Sequence, residues 1–153
     1  MSDEQRIVVH LARRFDVSPR RLFDVWTDPR KVRAWLTTPP IAIEIVDLVL
    51  RARTGRGYML EIRSGDRTAA YAGEYVEVVA GQRLAFTWVD PAVSKETTLV
   101  TVSFQSIPSA WAATDLRIEH ARVQPAEAPR TEARWGAALD ALTLFLSRGP
   151  SAA

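Results

Sequence analysis

Cysteine is absent from the 153 residues, which rules out disulfides, thiolate metal sites and cysteine nucleophiles together. A reducing compartment is compatible with that. Histidine is nearly as scarce: His10 and His120 are the whole supply, and neither stands at a metal-ligand spacing from an acid. Neither a glycine-rich phosphate loop nor a nucleophile elbow occurs. The expectation is no metal, no cofactor and no recognisable catalytic constellation. No apolar run approaches the length of a membrane span, and Met1-Ser2-Asp3-Glu4-Gln5-Arg6 has acids where a secretory signal needs cations. A cytoplasmic protein is the default reading.

The net charge is only +2 and is unevenly placed. Residues 1–36 hold eight Arg/Lys against five Asp/Glu, while the remainder holds twelve against thirteen. Arg13, Arg14, Arg20, Arg21, Arg30, Lys31 and Arg33 are interleaved with Asp16, Asp24 and Asp28. That is the pattern of a solvated face rather than a phosphate-binding block, and no nucleic-acid partner is expected. The length suits one domain, taken as residues 1–148 with 149–153 as a flexible tail.

Ile7, Val9 and Leu11 alternate with Val8, His10 and Ala12, which predicts a first strand running to Phe15. Ser18-Pro19 and Thr27-Asp28-Pro29 are successive helix-start signals, each followed by apolar residues at helical spacing: Leu22, Val25 and Trp26, then Val32, Trp35 and Leu36. Pro39-Pro40 stops the second helix. Strands are then expected over Ile41 to about Arg53, Gly57–Arg63, Thr68–Val79, Leu84–Val89 and Thr97–Gln105, separated by turns such as Ser64-Gly65-Asp66 and Ala80-Gly81-Gln82. Asp90 to Glu96 reads as a looser connection and Pro108-Ser109 as a further turn. The last strand, Trp111 to about Arg122, puts Thr114, Leu116, Ile118 and His120 on one face and Asp115, Arg117 and Glu119 on the other.

After a linker containing Pro125 and Pro129, the spacing predicts a helix from about Thr131 to Ser147. Trp135, Ala138, Leu139, Leu142, Phe145 and Leu146 form its buried stripe, and Arg148-Gly149-Pro150 ends it. A helix this apolar needs a covering surface, and an antiparallel sheet curved around it is the natural partner.

This order of elements resembles the START-like helix-grip superfamily (SRPBCC), and most closely its branch homologous to the activator of heat-shock-protein-90 ATPase. The resemblance is carried by Phe15-Asp16-Val17-Ser18-Pro19 with Val25-Trp26-Thr27-Asp28-Pro29 and Trp35, and by Gly73-Glu74-Tyr75-Val76-Glu77-Val78 with Arg83-Leu84-Ala85-Phe86-Thr87-Trp88. Thr114 to His120 and Trp135 with Leu139 and Leu142 complete it. The chain departs from the family pattern at Arg134, where glycine often precedes the helix Trp. It departs again at Arg51, Arg53, Gly55, Arg56 and Gly57, where an acid and paired glycines are common. The resemblance implies an α+β helix-grip fold enclosing a pocket for small apolar or amphipathic molecules; it does not imply a reaction.

The aromatic residues are the pocket candidates, since ligand sites combine apolar walls with a few polar groups: Trp35, Tyr58, Tyr71, Tyr75, Phe86, Trp88, Phe104 and Trp135. Ala138, Leu139 and Leu142 join them from the helix stripe. His120 shares the inward face of its strand, and reads either as a cavity group or as a strand-end histidine bonded to a backbone group. His10 reads as structural. Three functions are open: a protein binding a small hydrophobic molecule; a polyketide-cyclase-like enzyme in which His120, Glu61 or Tyr75 moves a proton; and an interaction module, such as a chaperone-ATPase regulator, with a protein partner or a homodimer.

Overall fold

The computed structural model describes residues 5–89, 96–108 and 112–148. In chain order the elements are β1 (Ile7–Phe15), α1 (Pro19–Thr27), α2 (Pro29–Leu36), β2 (Glu44–Leu50), β3 (Gly57–Ser64), β4 (Arg67–Val79), β5 (Arg83–Trp88), β6 (Thr98–Ser106), β7 (Thr114–Val123) and α3 (Ala128–Ser147). The strands form one antiparallel seven-stranded sheet in the order β1-β7-β6-β5-β4-β3-β2. With the long C-terminal helix, this is the helix-grip fold.

The two short helices begin where their caps dictate. Ser18 Oγ accepts from the Arg21 N–H at 3.3 Å, and Pro19 follows it at a position whose missing N–H costs nothing. Asp28 serves both helices, since its N–H donates to the Asp24 carbonyl at 2.9 Å while its carboxylate accepts from the Arg30 N–H at 2.9 Å. The indole N–H of Trp35 donates to the Val25 carbonyl at 2.8 Å, locking α2 onto α1.

The inner faces of β5, β6 and β7 supply Leu84, Val100, Val102, Phe104, Leu116 and Ile118, all buried. Leu22, Phe23 and Val25 of α1 and Leu139 and Leu142 of α3 close over them as one cluster, with Phe23 meeting Phe104 edge to face at 5.4 Å. Thr114, at the start of the same inward row, donates its hydroxyl to the Val17 carbonyl at 2.7 Å. The alternation expected for β7 is therefore observed: Thr114, Leu116, Ile118 and His120 are buried, and Arg117 and Glu119 are exposed.

β4 changes partner partway along. Residues 67–74 pair with β3 and residues 75–79 with β5, and Gly73 stands at the changeover. A Cβ on Gly73 would run into the Thr87 carbonyl oxygen and lie 2.6 Å from the Tyr58 hydroxyl; one on Gly57 would run into the Gly73 carbonyl. These glycines permit three backbones to approach closely. Beyond this line β2 and β3 form an arm that packs against α2.

Two boundaries differ from expectation. The long helix begins at Ala128, after a 3₁₀ turn at Pro125–Glu127, because Pro129 occupies a first-turn position, where proline starts a helix rather than linking to one. The strand expected from Ile41 to Arg53 is only Glu44–Leu50, with a register shift between Ile45 and Asp47. The loop 51–56 carries Arg51, Arg53 and Arg56 away from the interior, with Gly55 at φ +86°. The connection through Asp90–Lys95, the turn residue Ser109, Trp111 and the stop signal Gly149-Pro150 with the tail lie outside the described residues.

Candidate functional site

α2 and the first half of α3 do not close fully onto the sheet and its β2–β3 arm. They leave a cavity of about 440 Å³, partly open to solvent. Its sheet wall is made of inward residues on five strands: Leu48 and Leu50 of β2, Tyr58, Leu60 and Ile62 of β3, Tyr71 and Tyr75 of β4, Phe86 and Trp88 of β5, and, beyond β6, His120 of β7. Trp26, Val32, Trp35 and Leu36 come from the short helices, Ile41 and Ile43 from the segment after them, and Thr131, Arg134, Trp135, Ala137 and Ala138 from α3. α3 is thus divided along its length. Its first half covers the cavity, and the half beginning at Leu139 is packed into the core.

The aromatic residues make a nearly continuous lining. Tyr71 stacks on Trp88 at 5.1 Å, Trp88 lies 6.3 Å from Tyr58, and Tyr58 meets Tyr75 edge to face at 5.9 Å. Trp26 lies between Trp35 at 5.3 Å and Trp135 at 6.2 Å. The Trp26 indole N–H is buried without a hydrogen-bond partner among the described residues.

The polar groups in the wall are few. Tyr58 donates its hydroxyl to the Thr87 carbonyl at 2.6 Å; burial, then the neighbouring Tyr75, pushes the Tyr58 phenol well above its ordinary range. Burial pushes Tyr75 up to about 12, and no hydrogen bond of its hydroxyl is found among the described residues. His120 accepts at Nδ1 from the Trp135 indole N–H at 3.0 Å. That leaves the ring proton of a neutral imidazole on Nε2, facing Thr98 Oγ1 at 2.7 Å, and Thr98 in turn donates to the Trp88 carbonyl at 2.9 Å. Burial lowers the His120 pKa to about 4. Both ring nitrogens are engaged, and the backbone group expected as a direct partner is reached only through Thr98.

Beside the cavity lies a smaller recess of about 60 Å³, sharing Trp88, His120, Thr131 and Arg134 with it and completed by Glu96, Thr98, Arg122, Val123, Gln124, Glu127 and Arg130. Arg122 is in the left-handed region, φ +68°, where the pairing of β1 with β7 shifts register. This irregularity lets both Arg122 and Val123 line the recess.

Of the residues expected at the pocket, Trp35, Tyr58, Tyr71, Tyr75, Phe86, Trp88, His120, Trp135 and Ala138 line the cavity. Phe104, Leu139 and Leu142 do not, because they sit where α1 and the second half of α3 press directly on the sheet. Glu61 is also off the wall: it lies between Leu60 and Ile62 on β3, so alternation turns it to the opposite face. His10 is on the outer surface, 3.6 Å from Glu119. Sequence reasoning missed the aliphatic wall of Ile43, Leu48, Leu50, Leu60 and Ile62, whose signal was the arm's own alternation, interrupted by the register shift in β2. It also missed Arg134, seen only as a departure from a family pattern.

Among the described residues, no group of three His, Asp or Glu side chains is arranged to hold a metal ion. None of their helices is long and apolar enough to cross a membrane.

The family described as activator of Hsp90 ATPase homolog 1-like protein matches residues 16–147. A comparison with curated proteins finds no match. Among solved structures, a Chromobacterium violaceum protein is similar with a TM-score of 0.75 at 22% identity, over 91% of this chain and 96% of that one. A Rhodobacter sphaeroides protein gives 0.76 at 19% identity, over 97% and 100%. A Mesorhizobium loti protein gives 0.74 at 21% identity, over 94% and 98%. At these identities the structural likeness speaks for the fold.

Proposed function

The chain belongs to the activator of Hsp90 ATPase homolog 1-like family, and from that premise we propose that it is a binding protein holding a small hydrophobic or amphipathic molecule between α3, α2 and the sheet. The observation that carries this reading is the cavity itself, about 440 Å³ and walled by aliphatic and aromatic side chains. That is within the range of sites for drug-sized ligands. Left dry, such a void would cost about 10 kcal/mol at roughly 24 cal/mol per Å³, as much as the whole stability of a typical domain. Being partly open, the cavity can take up water instead, and an apolar occupant takes the wall out of that water and finds ring faces on several sides. Tyr75 offers it one inward hydroxyl donor.

Binding is favoured over proton-transfer catalysis by the state of the titratable groups. A general base must present a lone pair to the substrate, and His120 has Nδ1 occupied by Trp135 and Nε2 turned to Thr98. The raised phenols of Tyr58 and Tyr75 stay protonated at neutral pH and act as donors. Glu61 faces away.

Native mass spectrometry of gently purified protein tests the reading. A stoichiometric small molecule that is lost on denaturation is the expected result. An apo mass throughout, together with failure of any apolar probe to bind the folded protein, contradicts it.

A further inference from the structure

We propose that the ligand is a single-chain amphiphile with an anionic head, its tail in the cavity and its head at the recess beside Arg134. This rests on the binding reading above and adds a charge to it. Arg134 is the one charged side chain among the described residues that line the large cavity. It also lines the recess, so the two spaces meet at a cation. The recess carries Arg122 and Arg130 as well, against the acids Glu96 and Glu127. Glu96 is already held by both its oxygens, each 2.8 Å from Arg6 Nη2, with Gln124 Nε2 at 3.5 Å. Among the described residues that line the recess, three guanidinium groups stand with two carboxylates, and Arg6 pairs with Glu96 from outside that lining, so the local field favours an anion.

The two compartments differ in chemistry as the two ends of such a molecule do. On the cavity side the wall from Leu48 across to Trp88 is aliphatic and aromatic, with no cation and the Tyr75 hydroxyl as its inward donor, too little to hold a buried charge. On the recess side, Thr131 contributes a hydroxyl beside Arg134, one helical turn before it. Arg134 already has a protein partner of its own, but its five N–H donors leave room for a second acceptor. A carboxylate or a phosphate monoester matches that fork; a quaternary ammonium head would meet like charge, and an alcohol would gain no Coulombic energy.

The test uses the full chain and four probes below their micelle concentrations: dodecanoate, dodecyl phosphate, dodecanol and dodecyltrimethylammonium, each displacing a neutral apolar dye. The expected result is that the two anions bind about threefold to tenfold tighter than dodecanol, the size of a partly exposed charge-assisted contact, and that high salt shrinks the difference. The order of the two anions identifies the head group. Arg134→Glu, with the dye's own affinity measured afresh for the variant, should reverse the ranking of anion and cation while leaving the circular dichroism spectrum intact. Equal binding of anions and dodecanol, or an anion preference untouched by Arg134→Glu, overturns the proposal and leaves the binding reading standing. Failure of the dye and of dodecanol to bind at all defeats the binding reading instead.

Discussion

The indole N–H of Trp135 donates to Nδ1 of His120 at 3.0 Å, so the long helix and the last strand are joined through a neutral imidazole at the edge of the cavity. Protonating Nδ1 requires breaking this bond and charging a ring that is 5% exposed.

That fixes the direction of one pH effect. The His120 pKa falls from 6.5 to about 4 on folding. Above 6.5 both states are neutral and the contribution to stability is complete. As pH drops from 6.5 toward 4 the unfolded chain takes up a proton that the folded chain refuses, and stability declines by up to about 3 kcal/mol. Below about 4 this contribution stays flat. Urea midpoints measured across that range for the native chain and for His120→Gln isolate the effect, because the carboxylates are common to both. Parallel curves would show that His120 titrates normally.

Gly73→Ala should cost roughly 2 to 4 kcal/mol, from overpacking against the Thr87 carbonyl and from loss of the Tyr58 hydrogen bond to that same oxygen. Thermal unfolding measures it. A change within error would mean that β3, β4 and β5 do not approach as closely as the geometry requires.

The position of the cavity predicts a contrast between two leucines, one on α3 and one on β2. Leu142 is fully buried in the packed core, so Leu142→Ala should cost about 2 to 5 kcal/mol. Leu48 borders the existing void and is only half-buried; Leu48→Ala should cost about 1 kcal/mol or less. Equal losses, read from denaturant unfolding, would contradict the placement of the cavity.

Much of this fold was legible residue by residue. Ser18-Pro19 and Asp28-Pro29 announce their helices because capping and proline chemistry are local. The period-two row from Thr114 to His120 is legible because one face of β7 is buried along its whole length. The site was legible only in part. Phe104 and Phe86 carry the same kind of ring on neighbouring strands and both are buried, yet only Phe86 borders the cavity, because Phe23 and Trp26 of α1 pack on Phe104 while Phe86 meets Tyr58 and Tyr75. The close approach of β3, β4 and β5 depends on Gly73, and an interior strand glycine announces such an approach without naming the partner. The β2 wall was hidden because its register shift moves the inward row from Ile41 and Ile43 to Leu48 and Leu50, breaking the alternation that reveals a strand.

The most direct measurement is a titration of the folded protein with an environment-sensitive apolar dye, following tryptophan fluorescence, for the native chain and for Ala138→Phe. Ala138 lines the cavity beside Trp135 on the inward stripe of α3, so a phenyl ring there would intrude into the space that the ligand is proposed to occupy. Saturable binding by the native chain, abolished in Ala138→Phe with the unfolding midpoint nearly unchanged, is the predicted result. Absence of dye binding by the native chain, with Ala138→Phe losing the roughly 1 to 3 kcal/mol of an overpacked core, would contradict the account.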